Sequence, residues 1–159
     1  MSFDKFKNFS VGFDFDGVIH SNVLPTDAHG QRHPSIPFDQ IPHIPNLKIL
    51  NLIKEYYSKN YTIYIITART SRSKNVIVQT LQKFDLLKYI PIQNILMTGD
   101  YNNGDKTYII DKLNIVDFYD DSIKIFKSIK YAKNNNRLLK LKNCYLTIPE
   151  KNKILKIIM

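Results

Sequence analysis

The sequence predicts a doubly wound α/β protein, in which a parallel β-sheet carries helices on both faces. Two observations support this fold class. Predicted strands and helices alternate along the chain, and the predicted strands are apolar throughout, as in a sheet that is covered on both faces. The chain of 159 residues is expected to form one domain over 1–159, because a chain of this size buries a sizeable core.

In the first half of the chain, a proline-rich segment separates the first predicted strand from the following elements. Residues 18–45 hold five of the seven prolines and lack a sustained periodicity, which predicts a loop or small flap. On either side, aromatic and β-branched runs indicate strands, and apolar residues spaced by three or four indicate a helix. These elements are a strand at 11–15, a helix at 46–58 and a strand at 61–67.

The second half of the chain continues the alternation. The predicted elements are a helix at 71–84, strands at 94–98 and 115–119, helices at 106–113 and 122–133, a strand or hairpin at 138–148 and a closing helix from Pro149. Ligands of open parallel sheets bind beyond the carboxyl ends of the strands. The residues that directly follow each strand are therefore the candidates for function.

The positive charge is concentrated in the C-terminal part of the chain. The formal net charge is +9, and residues 122–159 hold ten Lys or Arg against Glu150 alone, whereas residues 1–121 hold thirteen of each sign. A basic region of this kind attracts anionic partners such as nucleic acid, although a solvated lysine face would explain it equally well. The same two interpretations apply to a lysine stripe on the helix at 122–133, formed by Lys124, Lys127, Lys130 and Lys133.

Composition and local patterns also exclude several classes. A single cysteine, Cys144, and the lack of a basic-then-apolar leader predict a reducing, intracellular and cytoplasmic setting. No apolar run approaches the roughly 18 residues that a membrane span needs, so no membrane partner is expected. The histidines at 20, 29, 33 and 43 lack tight ligand spacing, which argues against a zinc site.

Acidic residues, a hydroxyl and a lysine stand where the predicted strands end. They are Asp14 and Asp16 after the first strand, Thr67 at the end of the second, Asp120 and Asp121 after the strand at 115–119, and Lys106 at the start of the preceding helix. Carboxylates that are brought together repel each other, which favours a bound hard cation with oxygen ligands, Mg²⁺ above all. A cation and a lysine aimed at one point offset the charge of a phosphate, so the pattern favours phosphoryl transfer.

Each of these residues also has a purely structural explanation. A DxD sequence often forms a turn, and the acidic pair before Ser122 would cap the following helix. Thr67 would satisfy the end of its strand, and Lys106 is one lysine among many. Their joint occurrence, in order and at the correct ends of the correct elements, favours the functional interpretation.

In order and residue type these positions resemble the four motifs of the haloacid dehalogenase-like hydrolase superfamily. The matching segments are FDFDGV at 13–18, IIT at 65–67, Lys106 and FYDDS at 118–122. The resemblance spans about residues 11–126 and implies a Rossmann-like, three-layer, doubly wound sheet. The short segment at 18–45 leaves room for a minimal cap.

The resemblance implies a magnesium-dependent phosphomonoesterase that works through an aspartyl-phosphate. Asp14 would be the nucleophile, and Asp16 would be the general acid and then the general base. Mg²⁺ would be bound by the Asp14 carboxylate, the Asp16 main-chain carbonyl and Asp120, with Asp121 binding directly or through water.

The resemblance also implies a set of substrate contacts. Thr67 and Lys106 would hold the phosphoryl oxygens, with Lys112 as the alternative lysine. Gly17, Ala68 and Arg69 are further expected substrate-binding residues.

The sequence is compatible with more than one class of substrate. Members of the superfamily with little cap often act on large substrates, and the basic C-terminal part favours phosphorylated nucleic acid ends. DGVIHS at 16–21 is similar to small phage-type hydrolases of the superfamily, and TAR at 67–69 followed by DD is similar to the phosphatase half of polynucleotide kinase-phosphatases. That half usually continues as DDR, whereas Ser122 stands here. Arg69 or Arg72 would supply the missing substrate cation, although an exposed arginine at the start of a helix would explain either residue equally well. The alternatives are a nucleotidase for free mononucleotides and a non-catalytic nucleic-acid-binding module on the same fold.

Overall fold

The computed structural model describes residues 8–21, 43–100 and 104–157. The strands in chain order are β1 (Ser10–Phe13), β2 (His20–Ser21), β3 (Ile44–Pro45), β4 (Thr62–Thr67), β5 (Ile95–Met97), β6 (Ile115–Asp120), β7 (Asn143–Ile148) and β8 (Lys153–Ile157). The α-helices are α1 (Leu47–Ser58), α2 (Lys74–Lys83), α3 (Thr107–Lys112) and α4 (Ile123–Asn134). None of the helices in these ranges is long and apolar enough to cross a membrane.

The main sheet has six strands in the order β5-β4-β1-β6-β7-β8. The first five of these run parallel, and β8 pairs antiparallel with β7. The prediction of a mixed α/β fold with a mostly parallel sheet, compatible with a Rossmann-like fold, is confirmed. β1 pairs with both β4 and β6, so the carboxyl ends of these three strands are neighbours at one edge of the sheet.

Two hydrophobic clusters pack against the main sheet. The first contains Ile63 and Ile65 of β4 together with buried side chains of α1 and α2. The second contains Ile66 of β4 together with buried side chains of α3 and α4. Because successive residues of a strand point to opposite faces, β4 is apolar on both sides, which explains its continuous apolar sequence.

The C-terminal segment is a strand, so the predicted closing helix from Pro149 is wrong. Pro149–Lys151 forms a short 3₁₀ turn, Asn152 adopts a left-handed conformation with φ of 50°, and β8 then returns along β7. The apolar residues of this segment fit a helical spacing as well as a strand. Pairing with β7, which covers an otherwise open sheet edge, decides between the two.

The predicted flap at 18–45 lies largely outside the described residues. Its two ends are described: β2 and β3 pair antiparallel, with His20 opposite Pro45 and Ser21 opposite Ile44. The segment therefore begins and ends next to the carboxyl end of β1.

Candidate functional site

A cavity of about 790 Å³ lies beside the carboxyl ends of β1, β4 and β6. Residues that end these strands or begin α3 and α4 line it. They are Asp14, Asp16, Thr67, Ala68, Arg69, Gly104, Asp105, Lys106, Asp120, Asp121, Ser122, Lys124, Ile125 and Ser128. The strand-end residues that the sequence singled out therefore lie together.

Three carboxylates form a tight cluster in this cavity. One side-chain oxygen from each of Asp14, Asp120 and Asp121 lies within 4.8 Å of the others. Asp14 and Asp120 are buried, whereas Asp121 is exposed. Burial and the charge of Asp120 raise the pKa of Asp14 well above its usual range. Asp121 is exposed as a residue, but partial burial of its carboxylate and the charge of Asp120 raise its pKa to about 6. Both shifts reflect negative charges held close together and partly shielded from water.

Lys106 bridges the two buried members of the carboxylate cluster. Its Nζ lies 2.7 Å from Asp120 Oδ2 and 2.9 Å from Asp14 Oδ1. Burial lowers the pKa of Lys106, but Asp14 and Asp120 raise it more, so the ammonium group stays charged. The alternative lysine, Lys112, is exposed in the last turn of α3, with its Nζ 6.0 Å from the ring centroid of Tyr108. The structure therefore places Lys106, and not Lys112, in the cavity.

Hydrogen bonds hold both buried carboxylates in fixed orientations. Asp14 Oδ1 accepts the Phe15 N–H at 2.8 Å in addition to the Lys106 ammonium group, while no described residue donates to Asp14 Oδ2. Asp120 Oδ1 accepts the Ser122 N–H at 3.0 Å, a turn contact directly before α4. The acidic pair does not cap the helix as the structural explanation predicted, because the N-cap residue is Ser122 and α4 has no side-chain cap hydrogen bond. Asp120 thus holds the turn before α4 and belongs to the carboxylate cluster as well.

Arg69 and His20 bind the carboxylate of Asp16. Arg69 donates from Nε to Oδ2 at 2.8 Å and from Nη2 to Oδ1 at 2.6 Å, and His20 Nε2 lies 3.1 Å from Oδ1. The Phe15 ring packs against both partners, with its centroid 5.1 Å from the guanidinium carbon of Arg69 and 4.6 Å from the His20 centroid. Burial raises the pKa of Asp16, but the hydrogen bonds from His20 and Arg69 outweigh it and lower the pKa to about 2. Asp16 is therefore ionised at neutral pH.

Thr67 and Gly17 occupy supporting positions in the site. Thr67 is buried at the end of β4, where its Oγ1 accepts the Arg69 N–H at 3.2 Å. Gly17 has φ of +73°, and a Cβ at this position would collide with the carboxylate of Asp121. Its carbonyl accepts a hydrogen bond from Thr147 Oγ1 at 2.8 Å. Gly17 is not among the residues that line the cavity; it makes room for Asp121.

Sequence reasoning missed part of the site. His20 was assigned to the loop, although its spacing of four residues from Asp16 was a usable signal once a turn was predicted there. No sequence pattern predicted that Ser128 lines the cavity, and Lys124 was identified only as part of the lysine stripe. Arg72, the alternative to Arg69, is exposed and does not line the cavity.

Comparison with known proteins adds one relative. No protein-family model matches the chain. The chain is 38% identical over 144 residues to the uncharacterized protein L684 of Acanthamoeba polyphaga mimivirus. The alignment covers 89% of this chain and 28% of that protein, so the chain spans less than a third of the relative's length. The name of that relative states no activity, and the geometry of the cavity carries the functional argument.

Proposed function

We propose that this protein is a magnesium-dependent phosphomonoesterase of the haloacid dehalogenase type. The observation that carries the proposal is the cluster of Asp14, Asp120 and Asp121, bridged by Lys106, in a cavity that also contains Thr67. Buried carboxylates at this spacing destabilise the fold unless a ligand offsets their charge. A bound cation would offset the charge of these carboxylates and would allow an anionic substrate to bind beside them.

The sheet topology supports the finer fold assignment. A central β1 between β4 and β6, with apolar clusters against alternate residues of β4, is the arrangement expected of a three-layer, doubly wound sheet of this type. The proposed nucleophile follows β1, while Asp120 is the last residue of the neighbouring β6 and Asp121 follows it. The superfamily motifs require this placement.

The carboxylate cluster suits Mg²⁺ by its chemistry. All its donors are oxygens, which hard cations prefer. Burial and the neighbouring carboxylates raise the pKa of Asp14 and of Asp121, which indicates that Lys106 alone does not offset burial and repulsion together. Asp14, Asp120, Asp121 and the main-chain carbonyl of Asp16 would hold the ion. A bound Mg²⁺ would stabilise the charge that develops on the phosphoryl oxygens.

Asp14 would carry the covalent step. Asp14 Oδ2, which accepts no hydrogen bond from a described residue, would form a bond to phosphorus while the bond from phosphorus to the leaving oxygen breaks. Lys106 and Thr67 would hold the phosphoryl oxygens. Water would then attack the aspartyl-phosphate, releasing phosphate and restoring the Asp14 carboxylate.

Asp16 would move the proton in both steps, and Arg69 would control when it does so. With Arg69 and His20 bound, Asp16 is too acidic to donate a proton to the leaving oxygen. A phosphoryl group in the cavity would compete for the guanidinium of Arg69, which lines the same cavity. Release of Arg69 would raise the pKa of Asp16, so that it could protonate the leaving oxygen and afterwards take a proton from the attacking water.

Hydrolysis of a generic aryl phosphate tests the proposal. We expect phosphate release that requires Mg²⁺ and is lost in Asp14→Asn and in Lys106→Met. The matched control is Lys112→Met, which removes an exposed lysine outside the cavity and should retain activity. No release on any phosphomonoester, or equal release by Asp14→Asn, would refute the proposed catalysis.

The non-catalytic nucleic-acid-binding module makes a different prediction. It requires salt-sensitive oligonucleotide binding that is unchanged in Asp14→Asn, with no turnover. Binding of a polyanion gains nothing from three clustered carboxylates, and their repulsion would weaken it. The cluster therefore favours the enzyme.

A further inference from the structure

The first turns of α4 form a wall of the cavity. Lys124, Ile125 and Ser128 all line it. Lys124 and Ser128 are exposed and four residues apart, so they lie on one side of the helix, while Phe126 and Ile129 are buried on the other side. The cavity thus extends from the carboxylate cluster along the exposed side of α4.

Lys124 is a cation that the proposed phosphoryl site does not use. Lys106 is bound to Asp14 and Asp120, and Arg69 is bound to Asp16. Lys124 forms no ion pair with any residue in the described ranges. A second anionic group of the substrate, beyond the phosphoryl group that reacts, would find its partner here.

Lys124 lies at the end of its helix where a positive charge is unfavourable. It lies in the first turn of α4, directly after Ile123, and the first turn contains no acidic residue. A cation at this end opposes the helix dipole and destabilises the helix. Lys124 therefore places a positive charge at the exposed N-terminal turn, on the side of the helix that lines the cavity, where it suits an anion.

The same side of α4 continues with an aromatic residue. At about 100° of rotation per residue, Tyr131 returns to within roughly 20° of Lys124, on the order of 10 Å further along the axis. Its side chain is 68% exposed, so the ring is open to stacking. Lysines that contact phosphates and aromatic rings that stack with bases are the two groups by which proteins hold single-stranded nucleic acid.

We infer that the substrate is the phosphorylated end of a single-stranded nucleic acid. This inference rests on the proposed phosphomonoesterase function and names its substrate class. The terminal phosphate would react at Asp14, the adjacent internucleotide phosphate would contact Lys124, and the following bases would lie along the side of α4 that carries Ser128 and Tyr131. A mononucleotide has no internucleotide phosphate and would leave Lys124 unused.

Steady-state hydrolysis of three substrates tests this inference. They are an aryl phosphate, a mononucleotide and a single-stranded oligonucleotide with a terminal phosphate, prepared with the phosphate at either end. We expect kcat/KM for the oligonucleotide to exceed that for the mononucleotide by about tenfold or more and to fall with salt. In Lys124→Ala, the ratio of kcat/KM for the oligonucleotide to that for the aryl phosphate should fall by roughly fivefold to tenfold, and the salt slope should decrease by about one.

Lys130→Ala is the matched control. Lys130 is exposed on the same helix, about 120° away from Lys124 around the axis, and does not line the cavity. The Lys130→Ala variant loses the same charge but should keep the ratio of kcat/KM for the oligonucleotide to that for the aryl phosphate within about twofold of the wild type. Lys124→Arg should retain the preference for the oligonucleotide.

The outcomes separate the inference from the proposed function. Aryl phosphate hydrolysis without a preference for the oligonucleotide over the mononucleotide overturns the substrate class and leaves the phosphomonoesterase intact. Equal effects of Lys124→Ala and Lys130→Ala also overturn it. If none of the substrates is hydrolysed, both the function and the inference are wrong.

Discussion

Replacing Asp14 by Asn removes one charge from the carboxylate cluster and nearly preserves the shape of the side chain. Oxygens of Asp14, Asp120 and Asp121 lie within 4.8 Å of each other, and at an effective dielectric constant of about 20 each pair at this distance repels by 3 to 4 kcal/mol. Lys106, 2.9 Å from Asp14, attracts it by about 6 kcal/mol on the same scale. Attraction and repulsion therefore nearly cancel, and the cost of burying the Asp14 charge remains.

We therefore expect Asp14→Asn to abolish turnover and yet to stabilise the metal-free protein. In EDTA at about pH 8, its free energy of unfolding should exceed that of the wild type by about 1–2 kcal/mol, because burial of the charge no longer opposes folding. Urea unfolding followed by circular dichroism measures the difference. Saturating Mg²⁺ should stabilise the wild type more than the variant, because the variant lacks one of the carboxylates that would bind the ion.

The control for this comparison is Asp111→Asn, which removes an exposed carboxylate from α3 outside the cavity. It should change the free energy of unfolding by no more than about 0.5 kcal/mol. If Asp14→Asn destabilised the metal-free protein by about 2 kcal/mol or more, the charge of Asp14 would stabilise the fold, and the expected net cost of burying this charge would be absent. If Mg²⁺ stabilised the wild type and the variant equally, Asp14 would not be a ligand.

Three further changes test other parts of the structure. Lys106→Met leaves two buried carboxylates without their cation and should lower the free energy of unfolding in urea by about 3–5 kcal/mol. Lys112→Met should leave it nearly unchanged. Similar losses of stability in both variants would contradict the buried bridge. Tyr56→Phe removes the hydroxyl that donates to Asp117 Oδ2 at 2.8 Å. It should lower the free energy of unfolding by about 1–2 kcal/mol without affecting aryl phosphate hydrolysis. An unchanged free energy of unfolding would show that this hydrogen bond does not stabilise the fold. Burial and nearby basic side chains lower the pKa of His43 from 6.5 to about 4, so the unfolded chain binds more protons and stability falls as the pH drops between these values. His43→Gln should remove this fall, on the order of 1–2 kcal/mol after screening at this partly exposed side chain, and an unchanged slope of stability against pH would contradict it.

The parallel strands were predictable because burial on both faces leaves a clear pattern. β4 and β6 are short runs of mostly aromatic and β-branched residues, a composition that favours buried parallel strands over helices. The C-terminal strand was not predictable from its own residues. Ile154, Leu155 and Ile157 fit either period, and pairing with β7, a contact between segments, decides the outcome.

The carboxylate cluster was predictable for a geometric reason, and the surroundings of Asp16 were not. The strand assignments predicted that Asp14 and Asp120 lie at the same edge of the sheet, and the pairing of β1 with β6 brings them close together. The contacts of Arg69 and His20 with Asp16 depend on the paths of two turns and on side-chain rotamers, which no spacing encodes.

The formal charge of the cavity affects the binding of both the proposed ion and the proposed substrate. Five carboxylates and three cationic side chains line it, which gives a formal charge of −2. A phosphate dianion alone would be repelled by this charge, and a divalent cation would cancel it. With the proposed ion bound, the carboxylates would no longer oppose an incoming anion, and Lys106, Arg69 and Lys124 would attract it. The same carboxylates that would exclude phosphate from the metal-free cavity would therefore make entry of the proposed substrate depend on the proposed Mg²⁺.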